Sequence, residues 1–193
     1  MEQQAQGTGG SNAAKRSMKG NTLGRYLFHF QRPTYRLGNF RGWNAVGRVA
    51  VLGRVNTDWN KAVWNALVGQ LEQQGKEVSA LVFQPDAPMV ADAPAPSERL
   101  RIFGKKDLDL FSKPKPSVLA PWRSQSFDVV LCMSEEPVLP LLFACIGTRA
   151  EFRVGCYEDS VAACDLMLIR PQGMPVSEFV DQVFGYLAQI NAA

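Results

Sequence analysis

Two carboxylates, Glu135 and Glu136, directly follow the apolar run FDVVLCM and Ser134. A pair of acids at a strand end suits general acid and base work, because burial of one member separates the two pKa values. The plainer reading is that they stand in the first turn of a helix, complementing its positive end, with Ser134 as the cap. A second polar group, Asn56 and Asp58, follows the run VGRVAVLGRV. In an open α/β sheet both runs are strands, and ligands bind outside the strands' carboxyl ends. Asn56, Asp58, Ser134, Glu135 and Glu136 are therefore the candidate residues of a ligand crevice.

Nucleophilic, phosphate-binding and metal chemistry each lack a part. The single histidine, His29, lies about a hundred residues before Ser134, so no serine–histidine pairing is indicated. The turn GRVNTDWN has one glycine and fits neither GxGxxG nor a P-loop, so the backbone cradle for phosphate is missing. Cys132, Cys145, Cys156 and Cys164 stand in apolar contexts at spacings of 13, 11 and 8 residues, which match no zinc template. They read as buried, reduced thiols. Lys105 and Lys106 beside Asp107 and Asp109 read as a solvated turn, and Asp128 as a structural or solvent-facing carboxylate. No catalytic residue, cofactor or metal is assigned on these grounds, and the balance leans away from an enzyme.

Charge is divided along the chain. Residues 1–57 hold nine cations and one acid, Glu2, a net of +8, whereas the remainder holds twelve cations and seventeen acids, a net of −5. The overall +3 thus joins a basic arm to an acidic body, and the two can attract each other. Residues 1–14 lack the apolar content to offset ordering entropy and are expected to be disordered. Beyond them, Arg25, Arg32, Arg36 and Arg41 alternate with Tyr26, Phe28, Phe30, Tyr35, Phe40 and Trp43. Arginines neutralise phosphates and aromatic rings stack on unpaired bases, so this composition suits RNA or a ribonucleoprotein. An acidic protein or an anionic membrane surface is the alternative partner. Arg25, Arg32, Arg36, Arg41, Tyr26, Phe28 and Trp43 are the expected contacts. The competing reading packs these aromatics on the domain, with arginine stems laid across them.

The elements that would position these groups alternate. Of 193 residues, 46% are hydrophobic and 20% charged, enough for one globular domain and too few for a second. No apolar run approaches the roughly 18–20 residues of a membrane span. YLFHF is too short and too deep for a secretory signal, so a cytoplasmic location is expected. Strands are predicted at 46–55, 77–83, 127–133, 151–157 and 164–170, from β-branched or continuous apolar runs. Helices are predicted after a cap at Asn56 or Thr57 as far as Gly75, over 137–147, and from Pro175 onward. Residues 84–99, with four prolines, form a surface loop able to act as a lid, and a short helix falls between there and 126. The pattern predicts an α/β fold: one three-layer, Rossmann-like domain over 46–193 with a mostly parallel five-stranded sheet, preceded by the basic arm, 1–45.

The segments FGKKDLDLFSKPKP (103–116), FDVVLCMSEEPVLPLLFACIGTRAEFRVGCY (127–157) and CDLMLI resemble an uncharacterised bacterial family known only as a domain of unknown function. The resemblance rests on Phe103, Lys106 to Leu108, Ser112 to Pro114, Phe127 to Ser134 and Arg153 to Gly155, and spans roughly residues 48–190. It implies domain boundaries and no mechanism. More distantly, Phe127, Asp128, Arg153 and Gly155 are similar to the N-terminal half of heptosyltransferase-like glycosyltransferases, which implies a topology alone. Those enzymes bind sugar nucleotide mainly through a second half, and this chain is expected to hold only one. The leading expectation is a non-catalytic α/β binding domain whose arm contacts RNA or a ribonucleoprotein. The alternatives are a small-ligand-binding protein or enzyme using the crevice, and a protein interaction scaffold or homodimer.

Overall fold

The computed structural model describes residues 22–31, 38–55, 59–85, 96–134, 138–156 and 163–190. Strands β1 (Arg48–Arg54), β2 (Glu77–Phe83) and β4 (Ser126–Met133) are apolar almost throughout, because each is covered on both faces at the centre of the sheet. Beside them lie β3 (Leu100–Phe103), β5 (Arg149–Cys156) and β6 (Leu166–Leu168). Every neighbouring pair is parallel, and the order is β3-β2-β1-β4-β5-β6. The sheet therefore has six strands where five were expected. The additional one is β3, whose four residues emerge from a proline-rich stretch and are too few to show a period.

Among the described residues five α-helices accompany the sheet: α1 (Thr22–Gln31), α2 (Lys61–Gln73), α3 (Pro116–Arg123), α4 (Leu139–Gly147) and α5 (Val176–Gln189). Strand side chains alternate between two cores. Val49, Val51, Val129 and Leu131 pack with Trp64, Leu67 and Leu71 of α2 and with Phe179, Val183 and Leu187 of α5. Ala50, Leu52, Val130 and Cys132 pack with Leu119 and Trp122 of α3, Phe143 and Cys145 of α4, and Phe28 of α1. The buried Trp122 indole donates to Thr148 Oγ1 at 2.7 Å, and that hydroxyl donates on to the Ala144 carbonyl at 2.6 Å. No described helix is long and apolar enough to cross a membrane.

Two helix starts differ from expectation. The cap of α2 is Asn60, whose Oδ1 accepts from Ala62 N and Val63 N at 3.0 and 3.2 Å, and not Asn56 or Thr57. At the other end Gly75, with φ of 75°, closes the helix in the left-handed region as its sequence position predicts. Helix α4 has Val138 at its cap position and begins one residue later, with no acid in its first turn. Ser134 is therefore not its cap, and Glu135 and Glu136 precede the helix, outside the described residues.

The packed unit also takes in residues the sequence reading gave to an arm. Phe40 lies against Phe152 with ring centroids 4.7 Å apart, and Trp43 against Phe184 at 5.6 Å. Trp43 Nε1 donates to Gln74 Oε1 at 2.7 Å. Lys76 is buried, donates to the Trp43 and Val46 carbonyls at 2.9 and 2.7 Å, and has its pKa lowered by desolvation. Asp128 accepts from Gly47 N and Arg48 N at 2.7 and 2.8 Å, so its role is structural.

At the end of β5, burial pushes the Cys156 thiol from 9.0 up to about 11. Below pH 9 both folded and unfolded chains keep this proton. Between 9 and 11 the unfolded chain releases it while the folded one retains it, so stability falls as pH rises through that window. Two pKa units correspond to about 3 kcal/mol. Urea denaturation at steps from pH 8 to 11 is expected to show this alkaline loss in the native chain and a flatter profile in Cys156→Ala.

Candidate functional site

An open parallel sheet binds ligands where its strand order reverses. In the order β3-β2-β1-β4-β5-β6 that point lies between β1 and β4, because β1 continues toward β2 and β3 while β4 continues toward β5 and β6. The two strands end side by side, with Gly53 opposite Met133. The connections that leave them carry the crevice candidates. Asn56, Asp58, Glu135 and Glu136 lie outside the described residues, whereas Ser134 is described and buried.

The wall of this crevice is aromatic. Gly53 lets Trp64 lie directly on β1: a Cβ there would fall 2.6 Å from Trp64 Cζ2 and 3.2 Å from the Met133 carbonyl oxygen. Trp59 packs on Trp64 with centroids 5.4 Å apart, and both are buried. Two polar groups not named among the crevice candidates also stand at strand ends. Arg54 closes β1, and its Nε is buried without a hydrogen-bond partner among the described residues. Gln84 follows β2, is 8% exposed, and its Nε2 is likewise unpartnered. The visible signal for Arg54 was a cation ending an otherwise apolar strand.

A cleft of about 570 Å³ opens farther along the sheet, between α2 and the approach to β3. Its floor includes Val68, Ala80 and Leu100, and Arg99 reaches Glu72 across it at 3.6 Å. Residues 86–95 of the loop expected as a lid lie outside the described residues.

The expected anionic-partner contacts are split by the structure. Phe28 is 1% exposed, edge-on to Phe143 at 5.4 Å, and Trp43 is buried under α5. Both are core residues and not surface contacts, since their rings complete apolar clusters on the sheet. Arg41 is paired with Glu151 at 2.9 Å, a bond between the basic and acidic parts of the chain. Arg32 and Arg36 lie outside the described residues. Tyr26, 68% exposed, and the half-buried Arg25 remain on the outer side of α1, together with Phe30 and Leu23.

The helix α1 is seated through Gly24, where a Cβ would meet the Phe111 carbonyl oxygen and Leu139. Lys113 Nζ donates to Gln31 Oε1 at 2.9 Å at its far end.

The model of a family of unknown function, DUF6913, matches residues 36–190. The chain belongs to that family. The DUF6913 match thus covers the entire sheet and α2 to α5, and α1 precedes it. The aromatic entry segment with Phe40 and Trp43 falls within the matched region. No curated protein and no solved structure matches the chain.

Proposed function

We propose that this protein is a non-catalytic α/β binding domain that presents α1 to RNA or a ribonucleoprotein. The observation that carries this reading is the outer face of α1. Leu23, Tyr26 and Phe30 are 64%, 68% and 81% exposed, although the opposite face is anchored by Gly24 and Phe28. The Tyr26 and Phe30 rings stand 6.1 Å apart at 36°, a platform on which unpaired bases can stack. The +8 charge of residues 1–57 supplies the cations that neutralise the backbone.

Base–aromatic stacking contributes about 1–3 kcal/mol per base. In fluorescence anisotropy with a labelled single-stranded RNA, Tyr26→Ala/Phe30→Ala is expected to weaken binding by at least about tenfold. Binding by the native chain is expected to fall steeply as salt is raised. Binding that survives the double substitution would overturn the reading, as would binding to anionic vesicles without binding to RNA.

A second reading places an anionic small ligand at the switch point. It is favoured by the strand order and by the half-buried Arg54 at the end of β1, whose Nε is enclosed without a hydrogen-bond partner among the described residues. A panel of inorganic phosphate and small carboxylates is then expected to raise the melting temperature of the native chain and not that of Arg54→Met. A panel that leaves the native chain unchanged counts against it.

A further inference from the structure

Three of the four cysteines meet under the sheet although they come from different elements. Cys132 belongs to β4, Cys145 to α4, and Cys164 to the segment that leads into β6. All three are buried, and Cys145 Sγ lies 3.9 Å from Cys164 Sγ. Gly155 on β5 makes the room: a Cβ there would fall 2.6 Å from Cys164 Sγ and 3.5 Å from Cys132 Cβ. Among the described residues no group of three or more His, Cys, Asp or Glu side chains is placed to hold a metal ion.

The three sulfurs are not equivalent. Hydrogen bonding from Cys132, then from Cys164, pulls the Cys145 thiol down against the opposing effect of burial, with Arg153 also lowering it and Asp165 raising it. Cys132 and Cys164 are pushed up in turn by the same hydrogen bonding and by burial. Small apolar side chains would fill a core equally well. What this arrangement adds is two sulfurs from separate segments held 3.9 Å apart, the adjacency that closing a disulfide requires.

We propose that Cys145 and Cys164 are a redox pair that a peroxide closes to an intramolecular disulfide, tying α4 to the segment that leads into β6. The Cys145 thiolate attacks one oxygen of hydrogen peroxide and the O–O bond breaks. Hydroxide leaves, takes up the proton that Cys145 released, and becomes water, and Cys145 is now a sulfenic acid. Cys164 then loses its proton and attacks Cys145 Sγ. The S–S bond forms, the S–O bond breaks, and the departing hydroxide takes up the Cys164 proton as a second water. Two thiols and one peroxide become one disulfide and two waters, with two electrons passing from sulfur to oxygen. The sulfurs must close from 3.9 Å to a bond of about 2.05 Å. Cys145 is fixed in a helix, so the movement falls to Cys164, next to a strand of only three residues. Because both side chains are buried, access of the oxidant sets the rate.

The test treats the full chain with hydrogen peroxide, then denatures and alkylates it with N-ethylmaleimide. Intact mass is expected to show two adducts in place of four, and four again after dithiothreitol. Trypsin with glutamyl endopeptidase separates all four cysteines, since Glu135 lies between Cys132 and Cys145, and Glu158 between Cys156 and Cys164. The crosslinked peptides are expected to contain Cys145 and Cys164. The same crosslink persists in Cys132→Ser and is absent from Cys164→Ser. Four adducts after oxidation would overturn the proposal. So would a crosslink through Cys132 or Cys156, or a Cys145 sulfinic acid beside an unreacted Cys164. Mapping on the native chain decides the matter even if a variant fails to fold.

Discussion

Gly24→Ala releases α1 from the domain, and trypsin then cuts after Arg25 roughly thirty-fold faster than in the native chain. Two effects of opposite sign compete at this position. Alanine is the better helix former by about 1 kcal/mol, so the isolated helix gains. The added Cβ, however, would run into the Phe111 carbonyl oxygen, a backbone atom that cannot rotate aside, and would fall 2.8 Å from Leu139 Cδ2. The helix must lift, and Phe28 leaves its slot beside Phe143. Burial of a phenylalanine side chain stabilises by about 1.5–3 kcal/mol, which exceeds the propensity gain. Because protease access follows the open population, about 2 kcal/mol of lost docking gives the stated rate. The core on the opposite face of the sheet contains no residue of α1 and is left intact. Native cleavage kinetics in the variant would show that the contact relaxes at no cost.

Asp165→Ala is expected to remove about 3–5 kcal/mol from the whole domain, measured as the shift in the urea midpoint at constant slope. Its carboxylate accepts from Gly38 N at 2.7 Å and from Arg153 N at 2.6 Å. The side chain thus pins the entry segment, and with it Phe40 and Trp43, to the β5–β6 pair at one edge of the sheet. Hydrogen bonds to a charged acceptor contribute about 1.5–3 kcal/mol each, and alanine leaves both donors without that acceptor. Gly38 is itself closely held, since a Cβ there would meet the Glu151 carbonyl oxygen. Asp165→Asn keeps one acceptor oxygen and is expected to lose roughly half as much. A loss under about 1 kcal/mol in the alanine variant would show that water replaces the carboxylate.

The central strands were legible because burial on both faces writes itself as an uninterrupted apolar run, as in EVSALVF and FDVVLCM. The carboxyl ends of these strands were legible for the same reason, since a run that stops marks the sheet's rim. What could not be read depends on partners distant in sequence. Phe28 and Trp43 look like surface aromatics beside arginines, and only α4 and α5 make them core. Gly24 is informative only once Phe111 is placed against it. The cysteines were recognised singly as buried thiols, yet Cys132, Cys145 and Cys164 share no spacing from which their meeting could be inferred. The cap at Asn60 was displaced because Asn56 and Thr57 are equally good capping types in the same turn.

The placement of β4 beside β1 bears on how the chain is made. Val49 pairs with Val129, about eighty residues later, whereas β1, β2 and β3 all precede residue 104. A polypeptide growing from its N-terminus can therefore join its first three strands while one long side of β1 still has no neighbour. That bare rim carries unpaired amide and carbonyl groups along a strand whose middle is apolar, the template on which nascent chains join one another. The interval closes only when β4 emerges, so ribosome pausing between residues 104 and 126 is where synthesis would lose most product to aggregation.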